Sequence, residues 1–156
     1  MNYLADCFLV RLTWMEATSE RQRMVRPRKV HPVDPGLIPV FDRSGKENLG
    51  HALESAVRVE LERRRADVRY VVTREGFEVD FLAHWEEGGQ TLIQVAADLT
   101  DAGTREREVR ALLAAARSRP GARPLLLTLT PEAAGRVPDE IEVQDAALWL
   151  LGAGRA

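Results

Sequence analysis

The chain has a single cysteine, Cys7, so no disulfide can close within it. Alone in an apolar stretch, Cys7 reads as an inert, buried thiol of a reducing compartment. No apolar run approaches the length of a bilayer span, and the amino terminus lacks the basic-then-apolar build of a signal peptide. A cytoplasmic protein without membrane contact is therefore expected. An excess of either charge is also missing: 22 Lys and Arg stand against 24 Asp and Glu, a net charge of −2. That balance excludes a surface built to coat nucleic acid or membrane, although local patches survive it. His31, His51 and His84 have no second His or Cys at ligand spacing, which argues against zinc. Gly45-Lys46 lacks the upstream glycine of a phosphate-binding loop and is followed by Glu47. Ser44 and Ser55 have no base-and-orienter arrangement around them.

What is present is the composition of one soluble domain: 156 residues, 45% apolar and 29% charged. No repeat, low-complexity segment or linker divides it, so residues 1–156 are read as a single domain. Residues 3–14 are densely apolar, which suits a helical turn running into a strand. The lack of a polar lead-in before them suggests an ancestor that extended further. Arg21, Arg23, Arg26, Arg28 and Lys29 form a basic segment broken by Pro27. With no aromatic residues interleaved for base stacking, it reads as a solvated loop. Residues 29–37 then suit a short strand closed by the turn Pro35-Gly36.

Ser44-Gly45-Lys46-Glu47 has the form of a capping box, and the helix it opens is expected to run to about Arg65. Leu49, Ala52, Leu53, Ala56, Val57 and Leu61 form its apolar stripe. Glu54, beside that stripe, can pair with Arg58 or lean over the sheet edge toward Asp80. Strands are expected over 68–73, 77–83 and 92–97, the last two joined by the hairpin turn Glu86-Glu87-Gly88-Gly89. Strict alternation puts Phe77, Val79, Phe81 and Ala83 on one face and Glu78, Asp80 and Leu82 on the other. In that arrangement Asp80 and Gln94 look out of the same side of the sheet. A helix over 102–118, a buried strand over 124–130, a short strand over 141–143 and a final helix capped by Asp145 complete the chain. The run Arg105-Glu106-Arg107-Glu108 reads as a solvated helix face. The order is α/β, with an αβββαβ core at 44–151, an N-terminal extension at 1–43 packed on it, and a mixed sheet with helices on both faces.

A helix bearing Glu54, Glu-Val-Asp-Phe at 78–81 and Leu-Ile-Gln-Val-Ala at 92–96 resembles the PD-(D/E)XK nuclease-like, restriction-endonuclease-like fold. Residues 29–37, 48–54 and 98–108 narrow the resemblance to an uncharacterised domain family. That family lies carboxy-terminal to the ATPase core in prokaryotic AAA-type P-loop ATPases. The resemblance spans about residues 3–151. It implies that Glu54 is the helical acid, that Asp80 is the metal-binding aspartate, and that the two are the remaining ligands for Mg²⁺. Gln94 and Ala96 fall where an active member carries an acid and then a lysine. Gln supplies no charge to hold a divalent cation, and Ala supplies neither proton transfer nor positive charge.

The expectation is a catalytically degenerate, stand-alone nuclease-like domain with no cofactor. It would bind a protein partner, such as an AAA-type ATPase core, or contact nucleic acid weakly. Gln94→Glu with Ala96→Lys is then the pair of changes that would bring some cleavage back. Two alternatives stand beside it. One is an Mg²⁺-dependent endonuclease in which Glu54, Glu78 and Asp80 hold the ion and Arg58 replaces the lysine. The other is a structural or oligomerisation domain with its apolar opening segment exposed. The ATPase core is missing, which leaves a remnant, an excised fragment or a subunit acting in trans.

Overall fold

Among the described residues, alternating and continuous apolar runs give seven strands, and these form one mixed sheet. The computed structural model describes residues 2–17, 19–41 and 49–152. The strands are β1 (Val10–Met15), β2 (Arg28–Pro32), β3 (Asp67–Val72), β4 (Glu78–His84), β5 (Gln90–Ala96), β6 (Ala122–Thr128) and β7 (Glu142–Asp145). Their spatial order is β2-β1-β3-β4-β5-β6-β7. The pairs β1–β2, β3–β4 and β4–β5 are antiparallel, and β1–β3, β5–β6 and β6–β7 are parallel. The helices are α1 (Asn2–Asp6), α2 (Glu20–Val25), α3 (Ile38–Phe41), α4 (Leu49–Arg63), α5 (Ala102–Ser118) and α6 (Ala146–Leu150). The protein is thus mixed α/β, and α4-β3-β4-β5-α5-β6 runs in the expected order. The segment 44–47, read as a capping box, lies outside the described residues. No described helix is long and apolar enough to cross a membrane.

Two apolar clusters flank the sheet. Leu53, Val57 and Leu61 of α4 and Trp149 of α6 pack on Phe81, Ala83, Ile93, Leu125 and Leu127. Ala111, Leu112 and Ala115 of α5 pack on Val79, Leu82, Leu92, Ala96 and Leu126 of the opposite face. Each fully buried Leu or Val stabilises the fold by roughly 1.5–3 kcal/mol. Leu49, expected in the buried stripe of α4, is exposed, whereas Ser55 and Glu60 are buried. Glu60 tolerates burial because Arg63 and Arg64 bond its two oxygens at 2.6–2.7 Å. Cys7 is exposed, contrary to expectation, because it follows the short peripheral α1 and not a core element. Asp101 caps α5 by accepting the Thr104 N–H at 2.6 Å, and Asp145 caps α6 by accepting that of Leu148 at 3.0 Å.

The expected alternation along β4 fails at one residue. Arg69 pairs with Leu82 but Val71 pairs with Val79, so three residues of β4 span what two of β3 span. This is a β-bulge, and it puts two consecutive side chains on one side of the strand. Val79 and Leu82 therefore face α5, while Phe81 and Ala83 face α4. The β4–β5 turn is as read, with Gly88 and Gly89 both at positive φ, 92° and 90°, where a Cβ would be strained.

At the other end of the sheet, β1 pairs with β3 through only Trp14–Arg69 and Met15–Tyr70. The β1–β2 hairpin is free to lean over the α4 face, and it does. His31 of β2 reaches Phe81 of β4, with ring centroids 5.5 Å apart.

Helix α4 ends where Arg65 takes φ 62°, letting the Ala66 N–H bond back to Leu61 O at 3.0 Å. A non-glycine residue there carries a steric cost. Arg65→Gly is expected to raise stability by about 0.5–1 kcal/mol in urea denaturation. An unchanged or lowered midpoint would show that the arginine side chain compensates.

Candidate functional site

Edge strand β2 alternates, with Arg28 and Val30 exposed while Lys29 and His31 turn inward over α4. The Lys29 ammonium lies 2.8 Å from Asp80 Oδ1, 2.9 Å from Glu54 Oε1 and 2.8 Å from Glu78 Oε1. The ammonium donates to Glu54 and Asp80 and forms an ion pair with Glu78. Glu54 comes from the first half of α4, and Asp80 and Glu78 from the bulged end of β4. Burial works against the charge on Lys29, but the fields of Asp80 and Glu54, with hydrogen bonding to the Asp80 and Glu78 carboxylates, outweigh it and hold the ammonium above its ordinary pKa. Glu54 is held above the usual carboxylate range by burial and by the neighbouring Asp80 charge, with Lys29 acting against both.

The structure brings Glu54 and Asp80 together, as expected, but through Lys29. It corrects the placement of Gln94. The bulge turns the Asp80 carboxylate toward α4, while Gln94, in step with Leu92 and Ala96, projects toward α5. The ladder beyond Phe81–Ile93 is replaced by a reciprocal pair of bonds. The Asp80 N–H donates to Gln94 Oε1 at 3.3 Å, and the Val95 N–H donates to Asp80 Oδ2 at 3.0 Å. Gln94 Nε2 then donates to Glu108 Oε2 at 2.6 Å. The amide is the group this position requires, since its oxygen meets a donor and its nitrogen meets a carboxylate. Ala96 is buried among α5 side chains.

Glu108, expected on a solvated face, is only 7% exposed and also accepts from Arg107 at 2.6 Å. Arg58 is directed elsewhere, donating to Thr13 Oγ1 at 3.1 Å and pairing with Glu62 at 3.3 Å. Cavities of about 410 and 470 Å³ border the cluster, the first toward α5 and the second along β2.

Sequence reasoning overlooked Lys29 and Glu108. Lys29 was grouped with the surrounding arginines, although its two-residue spacing from His31 on a predicted strand already put both on one face. Glu108 follows from the α5 stripe only once Gln94 is known to point at it.

With Lys29 paired to all three acids, the carboxylates surround an ammonium and not the centre a divalent cation would take. Octahedral coordination needs six oxygens around one centre. Here the ammonium occupies the point on which three carboxylates converge, and the Gln94 oxygen is engaged by a backbone N–H. Among the described residues, no group of three or more His, Cys, Asp and Glu is arranged to hold a metal. What the cluster does chemically is fix charge: it ties the edge strand, α4 and β4 together. Comparison of the chain with protein-family models, with curated proteins and with solved structures finds no match. Fold and site together define a mixed α/β protein with a carboxylate cluster closed by a lysine.

Removing Lys29 leaves Glu54 and Asp80 partly buried and uncompensated. Lys29→Met is expected to cost about 3 kcal/mol, with Asp80→Asn in the same chain returning part of it. Additive losses in a double-mutant cycle would refute the coupling. His31 gives a second test. Burial, then the charges of Lys29 and Arg58, push its pKa down to about 3 from 6.5. The unfolded chain takes up the proton near the higher value and the folded chain near the lower. Stability is therefore full above the higher value and is lost as pH falls toward the lower, by at most about 1.4 kcal/mol per pH unit. Denaturation from about pH 7 to pH 4 should show this slope in the wild type and a shallower one in His31→Phe. Equal slopes would mean that His31 is protonated in the fold.

Proposed function

We propose that this protein is a catalytically silent, restriction-endonuclease-like domain, related to the domain that follows the ATPase core in prokaryotic AAA-type ATPases. In this reading it acts by binding a protein partner, with an AAA-type core in trans as the partner proposed, or by weak contact with nucleic acid. The α4-β3-β4-β5-α5-β6 order and the meeting of Glu54 with Asp80 support the ancestry. The observation that carries the silence is the Lys29 ammonium, which fills the centre of the acids with a tethered positive charge. Exposed Tyr3, Phe8, Met24 and Val25 support a covered surface on the assembled protein.

The orientation of Gln94 and Ala96 changes what reversion should do. Gln94→Glu sets a carboxylate against Glu108, and Ala96→Lys places an ammonium in the α5 core. The pair is expected to destabilise the fold without restoring cleavage.

One observation favours a second reading, an active metal-dependent endonuclease. Lys29, and not Arg58, is the basic side chain beside Asp80. The experiment that separates the two readings incubates wild type, Lys29→Met and Asp80→Ala with single- and double-stranded DNA and with RNA, in Mg²⁺ and in Mn²⁺. No cleavage by any of the three is expected. Reproducible wild-type cutting that vanishes in both Lys29→Met and Asp80→Ala would overturn silence and make Lys29 part of the machinery.

A further inference from the structure

A cavity of about 550 Å³ lies away from the carboxylate cluster, at the hairpin end of the sheet. Its floor is Ile93 of β5 and Leu125 of β6, both in the core. One wall is the half-buried indole of Trp85, whose N–H donates to Thr91 Oγ1 at 2.9 Å. That bond fixes the ring and leaves its faces as apolar surface. The opposite wall is Trp149 of α6, buried beneath the Arg64 guanidinium, which stacks 4.1 Å from the indole centroid. The volume is that of a small-molecule site, with two indoles and two core aliphatics beside charged and polar side chains.

Charge around the rim is asymmetric. Glu86 and Glu87 lie on the hairpin side. Arg123 lies on the β6 side, half-exposed, and its ion pair with Glu142 is long at 3.8 Å. Arg64 is committed to Glu60 and to the Trp149 carbonyl, so Arg123 is the guanidinium able to turn to a ligand. Indole and aliphatic surface with an arginine on one side and two acids on the other favours an aromatic molecule with its negative charge at one end.

We propose that the cavity between the β4–β5 hairpin and α6 binds a one- or two-ring aromatic anion, with the rings against Trp85 and the anionic group on Arg123. This site shares no residue with the lysine-closed cluster, and the proposal holds whether or not that cluster is catalytic.

The test titrates the whole protein with naphthalene-2-sulfonate and follows tryptophan fluorescence. Saturable quenching is expected, unchanged in Trp14→Phe, since Trp14 lies on β1 far along the sheet. Arg123→Ala should weaken binding about tenfold and Arg123→Lys by less, while neutral 2-naphthalenemethanol should bind more weakly than the sulfonate. The exposed position of Arg123 makes both variants expected to fold, which circular dichroism checks. Absence of saturable quenching, equal affinity in Arg123→Ala, equal affinity for the neutral alcohol, or loss of the signal in Trp14→Phe would each overturn the proposal.

Discussion

Three carboxylates converging on one point are stable only if a positive charge lies between them, and here that charge is covalently attached. Lys29 meets Asp80, Glu54 and Glu78, and no carboxylate oxygen it pairs with is farther than 2.9 Å. Bringing Glu54 and Asp80 together without it would leave like charges facing across a medium that screens poorly. The position of β2 depends on this. Backbone pairing of the β1–β2 hairpin to the remaining strands is confined to two residues, so side-chain contacts on the α4 face hold the edge strand in place.

The bulge in β4 is the second constraint. By shifting the register between Arg69 and Val71 it aims Asp80 at α4 and releases its N–H from the ladder. Gln94 then bridges from that N–H to Glu108 of α5, so one amide links the two faces of the sheet. The glutamine thus has its own physical explanation. A carboxylate there would meet the Asp80 N–H well but would confront Glu108 at the distance where the amide now donates.

The two ends of the sheet are chemically different. The bulged end of β4 gathers charge and holds it by internal pairing. The hairpin end is lined by indoles and core aliphatics, with its charges at the rim. Helix α4 joins them, contributing Glu54 near its start and Arg64 just past its end.

Much of the fold was legible in the sequence. The helix read over roughly 102–118, with Thr100 or Asp101 as cap and Pro120-Gly121 as stop, is found at Ala102–Ser118 with Asp101 as its cap, because caps and stops are local. The hairpin at Gly88-Gly89 and the central strand β6 were equally local readings. The site was legible only in part: Glu54 and Asp80 were found, but their face, their partner and the orientation of Gln94 were not. A bulge leaves no trace in a two-residue alternation, since it is set by how β4 registers on β3. Nor does spacing along the chain show that Lys29 ends up beside residues 25 and 51 positions further on. By itself the sequence determined the order of elements from α4 to β6 and which residues carry charge, because those follow from neighbours in the chain; the basic segment read as a loop instead begins with helix α2. Only the tertiary structure decided that a lysine closes the acidic cluster, because that rests on the lean of an edge strand held by side chains.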